Sequence, residues 1–183
     1  GGGAVSIRDG STVVFEECVF DSCVTVNTGG AVNFKSGSNN GRFYRCLFTN
    51  CGARDGGDAI YNGDGNNQVE IVNCVFVNNG VDVVVPSGTY PSLYTLGVED
   101  RRALIYNCTF VGNNSPGGSM IYLKESSNSA AEKEVINCIF ANNTIEGGGS
   151  IIGYEEGYDD TTVIQNNLFF SNSGLVPIDP TGA

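Results

Sequence analysis

The sequence has no histidine and no tryptophan, a single methionine and only 7 leucines in 183 residues. Without histidine, a catalytic imidazole and a histidine-ligated metal site are excluded. With so little leucine, a helical bundle and a leucine-rich repeat are both excluded, since each needs a leucine seam. Long apolar runs are also missing. None approaches the ~20 residues that a membrane-spanning helix requires, so direct membrane insertion is not expected. Basic residues are scarce, 9 against 20 acidic ones, for a net charge of −11. That balance opposes nucleic acid, which is bound through lysine and arginine on phosphate. It opposes an anionic membrane surface for the same reason.

What is present points to strands and turns. The chain carries 20 valines and 12 isoleucines alongside 26 glycines and 21 asparagines. β-branched residues favour strands, while glycine and asparagine favour turns. With 40% hydrophobic residues the chain has enough apolar surface for a core. The length fits one domain, residues 1–183.

A repeat organises the chain. Five segments share a Cys-x-Phe centre, at Cys18-Val19-Phe20, Cys46-Leu47-Phe48, Cys74-Val75-Phe76, Cys108-Thr109-Phe110 and Cys138-Ile139-Phe140. A sixth, Asn167-Leu168-Phe169, has asparagine in the cysteine position. Successive units are 28, 28, 34, 30 and 29 residues apart. The long steps coincide with inserts at 86–102 and 124–133. Three residues after each Phe stands Cys23, Cys51, Asn79, Asn113, Asn143 or Asn172. A Gly-Gly pair follows and opens a short apolar strand, as in Gly29-Gly30-Ala31-Val32. The third unit lacks the pair and offers Val83-Val84-Val85 instead.

Such a period is too short for a propeller blade and matches one coil of a solenoid. The expected fold is all-β, a right-handed parallel β-helix of about six coils. Equivalent residues then stack in columns at the ~4.8 Å strand spacing. Phe15, Phe43, Ile71, Ile105, Val135 and Ile164 form an inward column, as do the cysteines and the Phe of each centre. Glu16, Tyr44, Val72, Tyr106, Ile136 and Gln165 form an outward one. Glu17, Arg45, Asn73, Asn107, Asn137 and Asn166 are polar in every unit, as a corner requires. Asparagine amides stacked at a corner are expected to bond up and down the column.

The seven cysteines read first as small buried apolar side chains between the Phe layers. Cys23 and Cys51 are the candidate disulfide. Asn107, Asn113 and Asn142 head Asn-x-Ser/Thr triplets and are candidate glycosylation sites in a secreted eukaryotic protein. Cys74→Ser and Phe76→Ala are both expected to cripple folding.

Catalytic constellations are sparse. Glu155-Glu156-Gly157-Tyr158-Asp159-Asp160 is the densest acidic run and reads as a solvated loop. Glu99-Asp100-Arg101-Arg102 reads as exposed local ion pairs. Asp55, Asp58 and Asp64 share a glycine-rich turn that does not meet the EF-hand pattern. Tyr106, Tyr122, Tyr154 and Tyr158 could offer a sugar-stacking platform. No outward column holds an acid in three consecutive units, which removes the simplest enzyme face. The 11 threonines do not align into the ladder that ice binding needs.

Gly-Gly-Ala-Val, at Gly2-Gly3-Ala4-Val5 and Gly29-Gly30-Ala31-Val32, recurs with Phe-x-x-Asn, at Phe76–Asn79, Phe110–Asn113, Phe140–Asn143 and Phe169–Asn172. Together these resemble the repeats of the polymorphic outer-membrane-protein family. The first two units depart from the pattern with Phe-x-x-Cys. The resemblance implies an extracellular, cell-surface β-helix with a structural or adhesive role as a stalk, spacer or fibre component. It supplies no catalytic residue, metal or cofactor. The alternative is a carbohydrate-binding or polysaccharide-degrading β-helix. Neither end carries a capping helix, so the segment is expected to belong to a longer chain or to stack end to end with itself. Surface glycans are the other expected partner.

Overall fold

Alternating inward and outward residues over short runs make strands, and the computed structural model of the protein has only strands. It describes residues 2–35, 37–63, 67–80, 96–98, 102–116, 118–123, 132–146, 149–154, 161–173 and 178–180, among which there is no helix. Every strand pairing is parallel.

Among the described residues three long sheets run along the stack, with two further two-stranded pairs, Val24–Thr25 with Gly52–Ala53 and Asn114–Ser115 with Thr144–Ile145. Sheet 1 has seven strands, Val5–Ile7, Val32–Phe34, Ile60–Asn62, Leu96–Val98, Ile121–Leu123, Ile152–Tyr154 and Ile178–Pro180. Sheet 2 has six, Thr12–Glu16, Asn40–Tyr44, Gln68–Val72, Arg102–Tyr106, Glu132–Ile136 and Thr161–Gln165. Sheet 3 also has six, Val19–Asp21, Leu47–Thr49, Val75–Val77, Thr109–Val111, Ile139–Ala141 and Leu168–Phe170. The chain visits the sheets in turn and each visit adds one rung, which makes a parallel β-solenoid. Four turns are enclosed. Phe43, Ile71, Ile105 and Val135 are fully buried, whereas Phe15 and Ile164, in the first and last rungs of the same column, are only partly covered. The expected six coils thus become four enclosed turns with an open rung at either end.

The third unit departs from the expected strand. Its rung in sheet 1 is Leu96–Val98, in register with Ile60–Asn62 and Ile121–Leu123. It therefore lies inside the segment read as the 86–102 insert. The Val83-Val84-Val85 run lies outside the described residues. Likewise Arg102, Glu132 and Lys133, read as ends of inserts, begin strands of sheet 2.

Register places the Phe of each centre over the next. Ring centroids lie 4.7 Å apart for Phe20–Phe48, 4.8 Å for Phe48–Phe76 and 4.6 Å for Phe76–Phe110. The stack continues at 4.9 Å for Phe110–Phe140 and 5.1 Å for Phe140–Phe169. Free aromatic pairs prefer offset or edge contacts. Here the backbone ladder fixes the spacing and holds the rings face to face.

Each coil turns twice through left-handed backbone. Glu17, Arg45, Asn73, Asn107, Asn137 and Asn166 have φ between 53 and 58° and lead from sheet 2 to sheet 3. Ser22, Asn50, Asn78, Gly112, Asn142 and Ser171, with φ between 50 and 63°, lead out of sheet 3. That conformation costs ~1–2 kcal/mol for most side chains and is tolerated by asparagine and glycine. The polar column is therefore a corner, as expected. Its asparagines do not form the amide ladder, however, because they point to solvent.

The ladder is built by the residue after the second corner. Asn79, Asn113, Asn143 and Asn172 stack in register. The backbone N–H of Cys51, Asn79, Asn113 and Asn143 each donates to the Oδ1 one rung on, at 2.9–3.0 Å. Each Nδ2 also donates to the next Oδ1, at 2.9, 3.0 and 2.8 Å. It donates again to a Phe carbonyl one rung back, from Asn79 to Phe48 and from Asn113 to Phe76 at 3.0 Å. Every amide in the column is thereby satisfied, which a buried amide requires.

The cysteines take the equivalent place at the first corner, so they are more than apolar filler. The Sγ of Cys46, Cys74, Cys108 and Cys138 donates back to Phe15, Phe43, Ile71 and Ile105 at 3.4–3.6 Å. Where the column ends in asparagine, Asn167 Nδ2 donates to the Val135 carbonyl and Oδ1 accepts from Cys138 N–H, both at 2.8 Å. Cysteine is a weak-donor substitute for asparagine here. Cys138→Asn is expected to extend the amide pair by one rung and raise stability by ~1 kcal/mol, read by urea unfolding. A loss of stability would show that the first corner is too narrow for an amide.

Candidate functional site

Among the described residues sheet 2 is the one face with five-residue strands, so it offers three outward columns. The first reads Thr12, Asn40, Gln68, Arg102, Glu132 and Thr161. The middle one reads Val14, Arg42, Glu70, Leu104, Glu134 and Val163. The last reads Glu16, Tyr44, Val72, Tyr106, Ile136 and Gln165.

Opposite charges meet across rungs on this face. Arg42 pairs with Glu70 at 3.6 Å and Arg102 with Glu132 at 2.7 Å. Tyr106 donates its hydroxyl hydrogen to Glu134, and Glu70 is the carboxylate neighbouring Tyr44. Burial first, and the Glu134 carboxylate second, push the Tyr106 phenol up to about 12. The same two causes, with Glu70 as partner, raise the Tyr44 phenol. The hydrogen bond to Glu132 raises the Arg102 guanidinium. Leu104 points outward by register yet is only 5% exposed, so its longer neighbours lie over it. Gly41, Arg42, Gln68, Val69, Glu70 and Arg102 line a shallow hollow beside it. Solvent-exposed ion pairs add at most ~1 kcal/mol each. The weight of this face is therefore in what it presents: two phenol rings, guanidinium and amide donors, and carboxylate acceptors.

The residues singled out from the sequence disperse. Arg102 reaches across a rung to Glu132 and not to a sequence neighbour; Glu99, Asp100 and Arg101 lie outside the described residues, as does the 155–160 acidic run. Asp55 pairs with Arg54 at 2.7 Å. Asp58 is buried and accepts the Ala53 N–H at 2.9 Å, a structural cap. Asp64 lies outside the described residues. Among the described residues no group of three His, Cys, Asp or Glu is placed to hold a metal ion. The three of these tyrosines among the described residues do not share a surface. Tyr106 is on sheet 2, Tyr122 in the outward column of sheet 1, Tyr154 in another column of sheet 1, and Tyr158 is not described. Tyr44 is the partner that was missed.

Asn107 and Asn142 are exposed at the two corners, whereas Asn113 is fully buried with its amide committed to the ladder. Glycosylation of Asn113 in the folded chain is thus excluded. Cys23 and Cys51 fall on successive rungs, next to the paired Val24 and Gly52, and both are free thiols. Burial pushes Cys51 up to about 12 and Cys46 up to about 11. Bonds to the Cys138 and Cys74 thiols, with burial, hold Cys108 well above the usual thiol value. Only Cys18 and Cys23 are partly exposed. Brief alkylation of the native chain is expected to modify two thiols, and alkylation in denaturant all seven, counted by mass spectrometry. A final count of five would instead mean that Cys23 and Cys51 are bonded.

Two buried polar groups had no signal in the sequence. Lys133 is fully buried between Ala103 and Thr162 in an inward column of sheet 2. Asn62 is buried in sheet 1 next to Phe34, and neither atom of its amide has a hydrogen-bond partner among the described residues.

No protein-family model, curated protein or solved structure matches the chain.

Proposed function

We propose that the chain is part of a non-enzymatic, extracellular surface protein in which the solenoid is a stiff spacer carrying an adhesive side. The observation that carries this reading is the continuity of the ladders. Phe rings stack through six rungs and asparagine amides through four, without a break. A rod closed by such repeats transmits force along its axis, since each rung bonds only to its neighbours. The resemblance to polymorphic outer-membrane-protein repeats and the net negative charge agree with a surface location. Antibody raised against the folded chain is expected to stain intact source cells. Staining only after permeabilisation overturns the location.

The second reading, a polysaccharide-degrading enzyme, is favoured by the Arg, Glu and Tyr side chains gathered on sheet 2. Each carboxylate of that cluster is held by a guanidinium or a phenol, which suits binding better than proton transfer. Incubation with neutral and acidic polysaccharides is expected to release no reducing ends. Steady release would overturn the non-enzymatic reading.

A further inference from the structure

The outward face of sheet 2 twice sets a tyrosine beside a glutamate of the next rung, Tyr44 beside Glu70 and Tyr106 beside Glu134, with an arginine nearby in a different column each time. Arg42 pairs with Glu70 on the next rung, and the Glu70 carboxylate neighbours Tyr44. Two rungs further along, Arg102 engages Glu132 and Tyr106 engages Glu134. Tyr44 and Tyr106 occupy the same column, with the shorter Val72 between them. Two rungs span ~9.6 Å. The Tyr106 hydroxyl is tied to Glu134 one rung on, which leads that ring across the rung instead of letting it swing free.

A ligand that meets both units must repeat at the same distance. An extended peptide strand repeats its side-chain face every ~6.6–6.8 Å and falls out of step. Single-stranded nucleic acid needs cations that this chain lacks. An extended β-1,4-linked sugar chain repeats every two sugars at close to the required distance. Its rings have apolar C–H faces and hydroxyl rims. The faces suit phenol rings. The rims need donors and acceptors side by side, which Arg42, Gln68, Glu70 and Arg102 supply around the hollow. Charge narrows the class further. The face holds Arg42 and Arg102 against Glu16, Glu70, Glu132 and Glu134, on a chain of net charge −11. A polyuronate would be repelled.

We propose that sheet 2 binds a neutral, extended β-1,4-linked polysaccharide along the solenoid axis, with alternate sugars seated on Tyr44 and Tyr106. This deepens the adhesive reading and rests on it for its biological setting. The test is calorimetric titration of the full chain with soluble β-1,4-glucan oligomers of two to six sugars, with their N-acetylated amino-sugar counterparts, and with oligogalacturonate. Affinity is expected to rise about tenfold from the disaccharide to the tetrasaccharide, ~1.4 kcal/mol, as the second tyrosine is reached. Tyr44→Ala or Tyr106→Ala should remove that gain, while Tyr106→Phe keeps it. Both tyrosines face outward, so melting curves of the variants are expected to overlay that of the parent. If an alanine variant melts early, the phenylalanine variant and Gln68→Ala carry the test, the latter weakening binding at every length. No binding to either neutral series, tighter binding of oligogalacturonate, or equal loss in Tyr106→Phe and Tyr106→Ala would overturn the site. Cleavage of a bound oligomer would overturn the non-enzymatic reading and leave the site standing. Absence of binding in a chain displayed at the cell surface would remove the site and leave the spacer.

Discussion

Asn113→Ala is expected to cost ~3–9 kcal/mol of folding stability, enough to leave the chain partly unfolded near body temperature. The estimate follows from what the side chain satisfies. Its Oδ1 accepts both the backbone N–H and the Nδ2 of Asn79, and its Nδ2 serves the carbonyl of Phe76 and the Oδ1 of Asn143. The site is fully buried, so water cannot replace these bonds. Alanine leaves three of these bonds unmet, at the Asn79 N–H, one amide hydrogen of Asn79 and the Phe76 carbonyl, while Asn143 Oδ1 keeps the backbone N–H of residue 113. Each buried unsatisfied group costs ~1–3 kcal/mol. A domain of this size has ~5–15 kcal/mol in total. Asn113→Cys is the informative control. Cysteine occupies the same column at Cys51, where its thiol donates to the Phe20 carbonyl at 3.5 Å. It should restore part of the loss. Asn113→Asp keeps the acceptor, removes the donor and brings a charge into the column, so it should be at least as damaging as alanine at pH 7. Urea unfolding of the three variants checks the order. A cost below 1 kcal/mol for alanine would mean that the ladder is not a source of stability.

The contrast between the two asparagine columns explains where sequence reading stops. The Cys-x-Phe repeat, its spacing and the inward columns were legible because apolar identity recurs at each rung. Polar identity recurs just as well at Asn73 and at Asn79, yet one is a left-handed corner in solvent and the other a buried ladder. Only the path of the chain between the strands separates them. Lys133 is the same difficulty reversed, since a lysine beside a polar run signals solvent and here lies in the core. The rung at Leu96–Val98 was displaced because the Gly-Gly marker is missing in that unit. On sheet 2, the charged face is not a column of like residues. Like charges directly opposite one another on adjacent strands repel. A stable face therefore sets Arg42 under Glu70 and Arg102 under Glu132, and the pattern shows only after the rungs are aligned.

Phe76→Ala should rank beside Asn113→Ala, at ~3–5 kcal/mol. The ring is fully buried at the middle of the stack, 4.8 Å from Phe48 and 4.6 Å from Phe110. Its removal opens a cavity that the neighbours cannot close, because their rungs are pinned at ~4.8 Å by the backbone ladder. Aromatic contacts add ~0.5–1.5 kcal/mol per pair beyond burial, and two are lost. Phe169→Ala removes the same atoms from the last rung, where the ring has one stacking partner, Phe140, and is partly exposed. It should cost roughly half as much. Cys74→Ser, two residues from Phe76, now carries a different expectation. A serine hydroxyl offers the same bonds that the thiol gives to the Phe43 and Val72 carbonyls. The change is expected to cost less than ~1.5 kcal/mol, well short of the unfolding that an apolar filler role implied. Thermal melts of the three variants decide the matter. Equal losses for Phe76→Ala and Phe169→Ala would deny the stack its cooperative role. A Cys74→Ser variant that fails to fold would return the cysteine column to simple apolar packing.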